Sequence, residues 1–258
     1  MLTLKELIAN DIVQSKIWEE RMYQYEGGVY KFSLNFYNLH KLLAIQEIKK
    51  GNYEKAKQNF IICGLIDELR INNINDRLLD YGLDNISYAI LSDNEILIQR
   101  YAKLLYKQST NAELSMQTMV LNGGLPIWCN TCQMFMAKDT TAIERNLNII
   151  ETITLKNLSH KEDSLRDDYK FYIALYEKNK GKMEEILEKL TSPKIHKKRN
   201  TNPIINKYIS TPASAYAKLA WRSGIELQVK SDLIPKALLP LLPSADFEIP
   251  YNFLKRNI

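Results

Sequence analysis

Residues 208–230 read YISTPASAYAKLAWRSGIELQVK, and they hold both kinds of pattern that this chain offers. Thr211 supplies a side-chain acceptor at an N-cap position, Pro212 suits the first helical position, where no N–H is needed, and Gly224 follows as a left-handed stop. Between these marks Ala213, Tyr216, Ala217, Ala220 and Trp221 recur at i, i+3, i+4, i+7 and i+8, which makes one apolar stripe with Trp221 in the core and Arg222 facing outward. After Gly224 the period changes to two. Ile225, Leu227 and Val229 alternate with Glu226, Gln228 and Lys230, the signature of a segment running extended along the domain. Prolines at 235, 240, 243 and 250 divide what remains into short pieces. Sustained alternation is almost absent before residue 225, so the fold class is all-α with a C-terminal extended, Pro-rich segment.

Upstream, the apolar spacing by threes and fours predicts helices over 2–25, from Val29 to Gly51 and from Asn52 through Leu69. Others are predicted near 76–91, 94–108, 111–122, 126–137, 140–156, 161–179 and 182–191. One kind of junction recurs: an apolar helix end, one or two small or charged residues, then a new helix. It occurs at Lys49-Lys50-Gly51-Asn52, Ser92-Asp93-Asn94, Lys138-Asp139-Thr140 and Asn179-Lys180-Gly181. Spacings of about 42 to 45 residues correspond to two helices and two turns, so the chain reads as stacked antiparallel helical hairpins, a repeat-like bundle. The stretch Gly51 to Ala56 is similar to the turn and second helix of a tetratricopeptide unit, without that repeat's full signature. A single domain over 1–258 is expected, with hairpins to about 200. Such stacks leave a grooved face for a partner and favour binding over catalysis.

The 258 residues are 45% hydrophobic, enough for a substantial core. No apolar run reaches about 18 residues, so no membrane span is expected. The amino terminus reads as an amphipathic helix and not as a secretory leader, and three cysteines make no disulfide framework. A cytoplasmic location follows as the expectation. The net charge of +5 arises from 35 basic and 30 acidic residues that are interspersed, whereas a dedicated nucleic-acid binder concentrates its charge more strongly.

Tests for chemistry are mostly negative. Cys129-Asn-Thr-Cys132 is half a zinc site without a second half, and a redox pair would want a strand-to-helix junction, whereas Pro126-Ile-Trp-Cys129 opens an apolar helix. Both cysteines read as buried small hydrophobes. The acidic pairs Glu19-Glu20, Asp67-Glu68, Glu162-Asp163, Asp167-Asp168 and Glu184-Glu185 have no histidine at ligand spacing beside them. Adjacent acids on a helix point about 100° apart, so they read as solvated faces. No G-x-S-x-G, phosphate-loop, G-x-G-x-x-G or H-E-x-x-H motif occurs. No catalytic residue, metal or cofactor is expected.

The densest positive run is Lys194, His196, Lys197, Lys198 and Arg199, followed by Lys207. It reads either as a solvated loop or as a surface for phosphates or for acidic groups on a protein.

The order of pieces near the C-terminus resembles the end of the immunity protein 49 family of bacterial polymorphic-toxin systems. The resemblance rests on a Ser-initiated helix with Ala217-Lys218-Leu219-Ala220-Trp221, then Gly224, the alternating segment, Pro235 and Leu238-Leu239, downstream of basic residues 197–199. Its strong part covers about the last quarter of the chain, residues 208–254; upstream there is a similar run of helices. The resemblance implies a cytoplasmic immunity protein that binds a cognate effector toxin domain and neutralises it sterically, without turnover. Expected toxin contacts are Lys197, Lys198, Arg199, Lys207 and Arg222. The net positive charge argues against a strongly cationic nuclease as the target. The rival reading is a helical-repeat scaffold or a nucleic-acid-binding module using residues 194–207, and a third is a hydrolase, which requires the acidic pairs to converge.

Overall fold

The computed structural model describes residues 3–80, 83–107, 114–200, 202–242, 247 and 249–255. Among them there is no strand, and the architecture is all-α. Helix α1 (Leu4–Met22) opens with a capping box in which Thr3 accepts from the Glu6 amide while the Glu6 carboxylate accepts from the Thr3 amide. It packs on α2 (Gly28–Lys49), which packs along α3 (Tyr53–Ile74). Then come α4 (Leu83–Leu91), α5 (Glu95–Tyr101), α6 (Met116–Leu121) and α7 (Ile127–Ala137). Helix α8 (Thr140–Ile149) continues through a π-type turn over Ile150–Thr154 into α9 (Leu155–Asn157). The last five are α10 (Leu165–Tyr176), α11 (Lys180–Leu190), α12 (Pro193–Arg199), α13 (Thr211–Arg222) and α14 (Asn252–Lys255).

The recurrent junctions share one geometry. A residue with positive φ is followed by an Asn or Asp whose side chain accepts from the amide three residues on. Gly51 (φ 75°) precedes Asn52, Asp93 (54°) precedes Asn94, Lys138 (57°) precedes Asp139, and Lys178 (56°) precedes Asn179. Left-handed φ stops one helix, and the Asx side chain starts the next by satisfying an orphan amide. Links of two or three residues return each helix against its predecessor, in the pairs α2–α3, α4–α5, α7–α8 and α10–α11. At the fourth junction the stop falls at Lys178, before the Gly181 that the spacing suggested.

Several boundaries differ from expectation, among them 76–91, seen as a 3-10 turn Leu78–Asp80 and then α4, and 161–179, where α10 spans Leu165–Tyr176. The N-cap of α13 is Ser210, so Thr211 and Pro212 lie in its first turn. The helix expected over 94–108 ends at Tyr101. Part of the one expected over 111–122 lies outside the described residues, and the rest is α6. Helix α13 is also buried on every side from Thr211 to Ala220 rather than along one stripe. Its alanines admit α4 at close range, and α11 packs on it as well. Buried apolar residues from Ile8 to Leu254 form one contiguous cluster. The C-terminal residues close it. Phe253 stacks on Tyr251 and lies against Phe36, and the Tyr251 hydroxyl bonds His40 Nε2 at 2.8 Å. Burial depresses the His40 pKa to about 4, so its ring is neutral at pH 7.

Candidate functional site

The basic run folds as helix α12, started by Ser192 and Pro193, and not as a loop. Helical spacing sorts its charges. His196, Arg199 and Asn200 lie at i, i+3 and i+4 and turn inward: His196 Nε2 bonds the Asn206 carbonyl at 2.7 Å, and the Arg199 guanidinium grips both oxygens of the buried Asp168 at 2.6 and 2.7 Å. Lys197 and Lys198 point to solvent. Arg222 is half-buried and donates to Glu95 Oε2 at 2.5 Å, so it does not face freely outward. Of the five expected contacts, Arg199 and Arg222 have carboxylate partners within the chain, and Lys197, Lys198 and Lys207 are exposed.

Lys207 lines a cleft of about 770 Å³ with three further lysines, Lys49, Lys230 and Lys236. Its walls come from the end of α2, the first residue of α3, the turn Ile205–Lys207 and the extended segment after α13. The left-handed turn at Gly51 puts Lys49 and Tyr53 at the same mouth of the hairpin. Period-two alternation buries Leu227 and Val229 and so directs Lys230 outward. Ile48, Ile234 and Pro235 form an apolar floor, Tyr53 and Tyr208 flank it, and Asp232 is the cleft's one carboxylate among the described residues. The Lys49 ammonium lies 5.5 Å from the centroid of the Tyr208 ring, a cation–π contact. Lys50, one residue on, pairs with Glu47 at 2.7 Å. By contrast, no ion pair is found for Lys49, Lys207, Lys230 or Lys236 among the described residues. Sequence reasoning missed Lys49, Lys230 and Lys236. The alternation sets Lys230 on the outward side without tying it to a site, and nothing local places Lys49 beside Lys207.

Next to the chain that follows Lys236, two lysines are buried around one carboxylate. Asp93 Oδ2 accepts from Lys57 Nζ at 2.5 Å and from Lys218 Nζ at 2.6 Å. Lys218 also donates to the carbonyls of Leu238 (2.8 Å) and Pro240 (2.7 Å), and Lys57 to that of Leu242 (3.3 Å). Burial lowers the Lys218 pKa to about 8, against the pull of Asp93 and with help from the Lys57 charge.

Two of the five acidic pairs, Asp67-Glu68 and Asp167-Asp168, are not the solvated faces expected: they are drawn inward, and each carboxylate has its own partners. Asp67 accepts from Asn85 and Tyr101, Glu68 takes Arg100, Asp167 takes Lys189, and Asp168 takes Arg199 and the Tyr216 hydroxyl. Burial raises Asp67 to about 7. Cys129 and Cys132 are buried on α7, and burial lifts both thiols, Cys132 to about 12. Among the described residues no group of three or more His, Cys, Asp or Glu is placed to hold a metal ion, and no helix is long and apolar enough to cross a membrane.

The fold therefore defines a helical-hairpin protein with an open basic cleft and with the Asp67-Glu68 and Asp167-Asp168 carboxylates engaged in internal contacts. The family model for immunity protein 49 matches residues 54–238, and the chain belongs to that family. The match starts in α3, so it covers most of the hairpins as well as α13, and it stops at Leu238, short of the last pieces of the C-terminal segment. No curated protein and no solved structure matches the chain.

Proposed function

We propose that this protein neutralises a cognate bacterial toxin by binding its toxic domain and covering the cleft or closing motion that the toxin needs. Membership of the immunity protein 49 family carries this reading. The geometry is consistent with it: a helical-hairpin scaffold around one contiguous core and an open groove suit a stoichiometric binder. No turnover, metal or cofactor enters the mechanism. The action is cytoplasmic, where an effector delivered by a competing cell would arrive.

The test is a pull-down with the product of the gene immediately upstream, followed by co-expression of that product's C-terminal domain in a sensitive host. Co-purification and restored growth are the expected results. A neighbour that is neither toxic nor bound would overturn the assignment of that pair, and a salt-titrated affinity for RNA in its place would favour a nucleic-acid module.

A further inference from the structure

The cleft carries a charge pattern that the family assignment does not explain. Lys49, Lys207, Lys230 and Lys236 converge on one hollow with Asp232 as its only carboxylate among the described residues. Several other surface lysines are paired locally, as in Lys50–Glu47, Lys182–Glu185 and Lys189–Asp167, and Lys197 and Lys198 stand exposed on α12, whereas here four lysines share one hollow. Four like charges around an apolar floor repel one another and gain most from an anionic occupant that displaces water.

We infer that the cleft is the docking site for the partner and that it receives an acidic segment of the toxin, two or more carboxylates on a loop or helix end. This rests on the immunity reading above. The chemistry favours a protein carboxylate over a nucleic acid on three counts. No arginine is among the lining residues, so the bidentate fork that suits phosphate is missing. Lys49 already occupies a face of Tyr208 on which a base would stack. Arg70, Arg100, Arg199 and Arg222 are tied to carboxylates of this chain, so they do not extend the cleft into a basic track. Flexible single-charge lysines around an apolar floor fit a short acidic peptide segment carrying one or two apolar side chains.

The experiment compares the full chain with Lys207→Glu/Lys230→Glu and with Lys197→Glu/Lys198→Glu, which reverses the same charge on α12. All four positions are exposed, so thermal midpoints matching the parent's establish that both variants fold. Binding to the upstream-encoded toxin domain is measured by calorimetry at low and high salt. The cleft variant is expected to lose about 100-fold in affinity, and at least tenfold more than the α12 variant, with the parent's salt dependence reduced. A cleft loss that does not exceed the α12 loss by tenfold overturns the cleft proposal while leaving the immunity reading intact. If the parent does not bind that domain, the pairing fails and the cleft is judged on two fluorescent probes, a glutamate-rich 12-residue peptide and a 12-nucleotide single-stranded RNA. Peptide binding that the cleft variant abolishes supports the inference. Preference for the RNA, or binding of neither, overturns it.

Discussion

Replacing Asp93 by Asn tests the buried charge arrangement with the least disturbance to the backbone. Asn adopts the left-handed φ of 54° that Asp93 holds, so the junction itself is preserved. What is lost is the negative charge between two ammoniums that are 2% and 0% exposed and sit 2.5 and 2.6 Å from a single carboxylate oxygen. Uncoupling a buried ion pair costs about 3–5 kcal/mol, a large share of the roughly 5–15 kcal/mol that holds an ordinary domain together. The pH dependence distinguishes this cause from simple misfit. Lys218 has a folded pKa of about 8, below its ordinary 10.5, so between these values the native state holds fewer protons than the unfolded chain. The parent's stability from this group rises across that window, and below pH 8 the depression costs on the order of 3 kcal/mol. Asp93 opposes the depression. Its removal lowers the Lys218 pKa further, so recovery begins at lower pH and the gap between variant and parent narrows. Urea unfolding followed by circular dichroism at pH 7.0 and 9.5 is the assay. A loss under about 1 kcal/mol at pH 7, or a gap that does not change with pH, would refute the reasoning.

Burial raises Asp67 to about 7, so its native state retains a proton between 3.8 and 7 that the unfolded chain has lost, and the parent loses stability as pH rises through that window. Asp67→Asn is expected to remove this slope, adding up to about 4 kcal/mol at pH 8 and little at pH 4 in the same unfolding assay. Arg199→Leu leaves Asp168 buried without its cation and is expected to cost about 3–5 kcal/mol, whereas Lys197→Ala with Lys198→Ala shifts stability by less than about 1 kcal/mol. Equal effects of the two would contradict the inward and outward sorting on α12. Gly64→Ala drives a new Cβ to 2.7 Å from Leu97 Cδ2 where α3 meets α5. A loss of about 1–3 kcal/mol is expected, read as a lower thermal midpoint.

The helices were legible because their ends are chemical. Asn52, Asn94, Asp139 and Asn179 cap by the same bond to the amide three residues on, and that local device survives translation from sequence to structure. Alternation after Gly224 likewise gave the correct facing of Leu227, Val229 and Lys230. Helix α12 was hidden by its own charges, since a run of Lys, His and Arg reads as solvated although Ser192 and Pro193 mark a helix start. The buried lysines could not be read at all. A lysine beside the apolar stripe reads as solvated until its partner is known, and Lys218 finds its carboxylate 125 residues away. The same distance effect hides the cleft, whose lysines stand at positions 49, 207, 230 and 236.

The buried knot and the cleft share one segment, residues 230–242. Residues 230–236 form a wall of the cleft, and the same stretch is fixed from behind by the Ser210 amide bonding the Leu233 carbonyl at 2.8 Å. Just beyond, Lys218 holds the carbonyls of Leu238 and Pro240. The only regular element of the stretch is the 3-10 turn Lys236–Leu238, so the carbonyls of Leu238 and Pro240 have no helix or strand partner, and a buried ammonium is an expensive way to engage them. What the arrangement gains is order: a wall that is already set loses little conformational freedom when a partner docks. On this argument the Asp93→Asn variant, examined under conditions where it remains folded, should bind its partner more weakly, although Asp93 does not line the cleft. The loss should be smaller than that caused by Lys207→Glu with Lys230→Glu, because loosening a wall costs ordering free energy while reversing its charges removes the attraction itself.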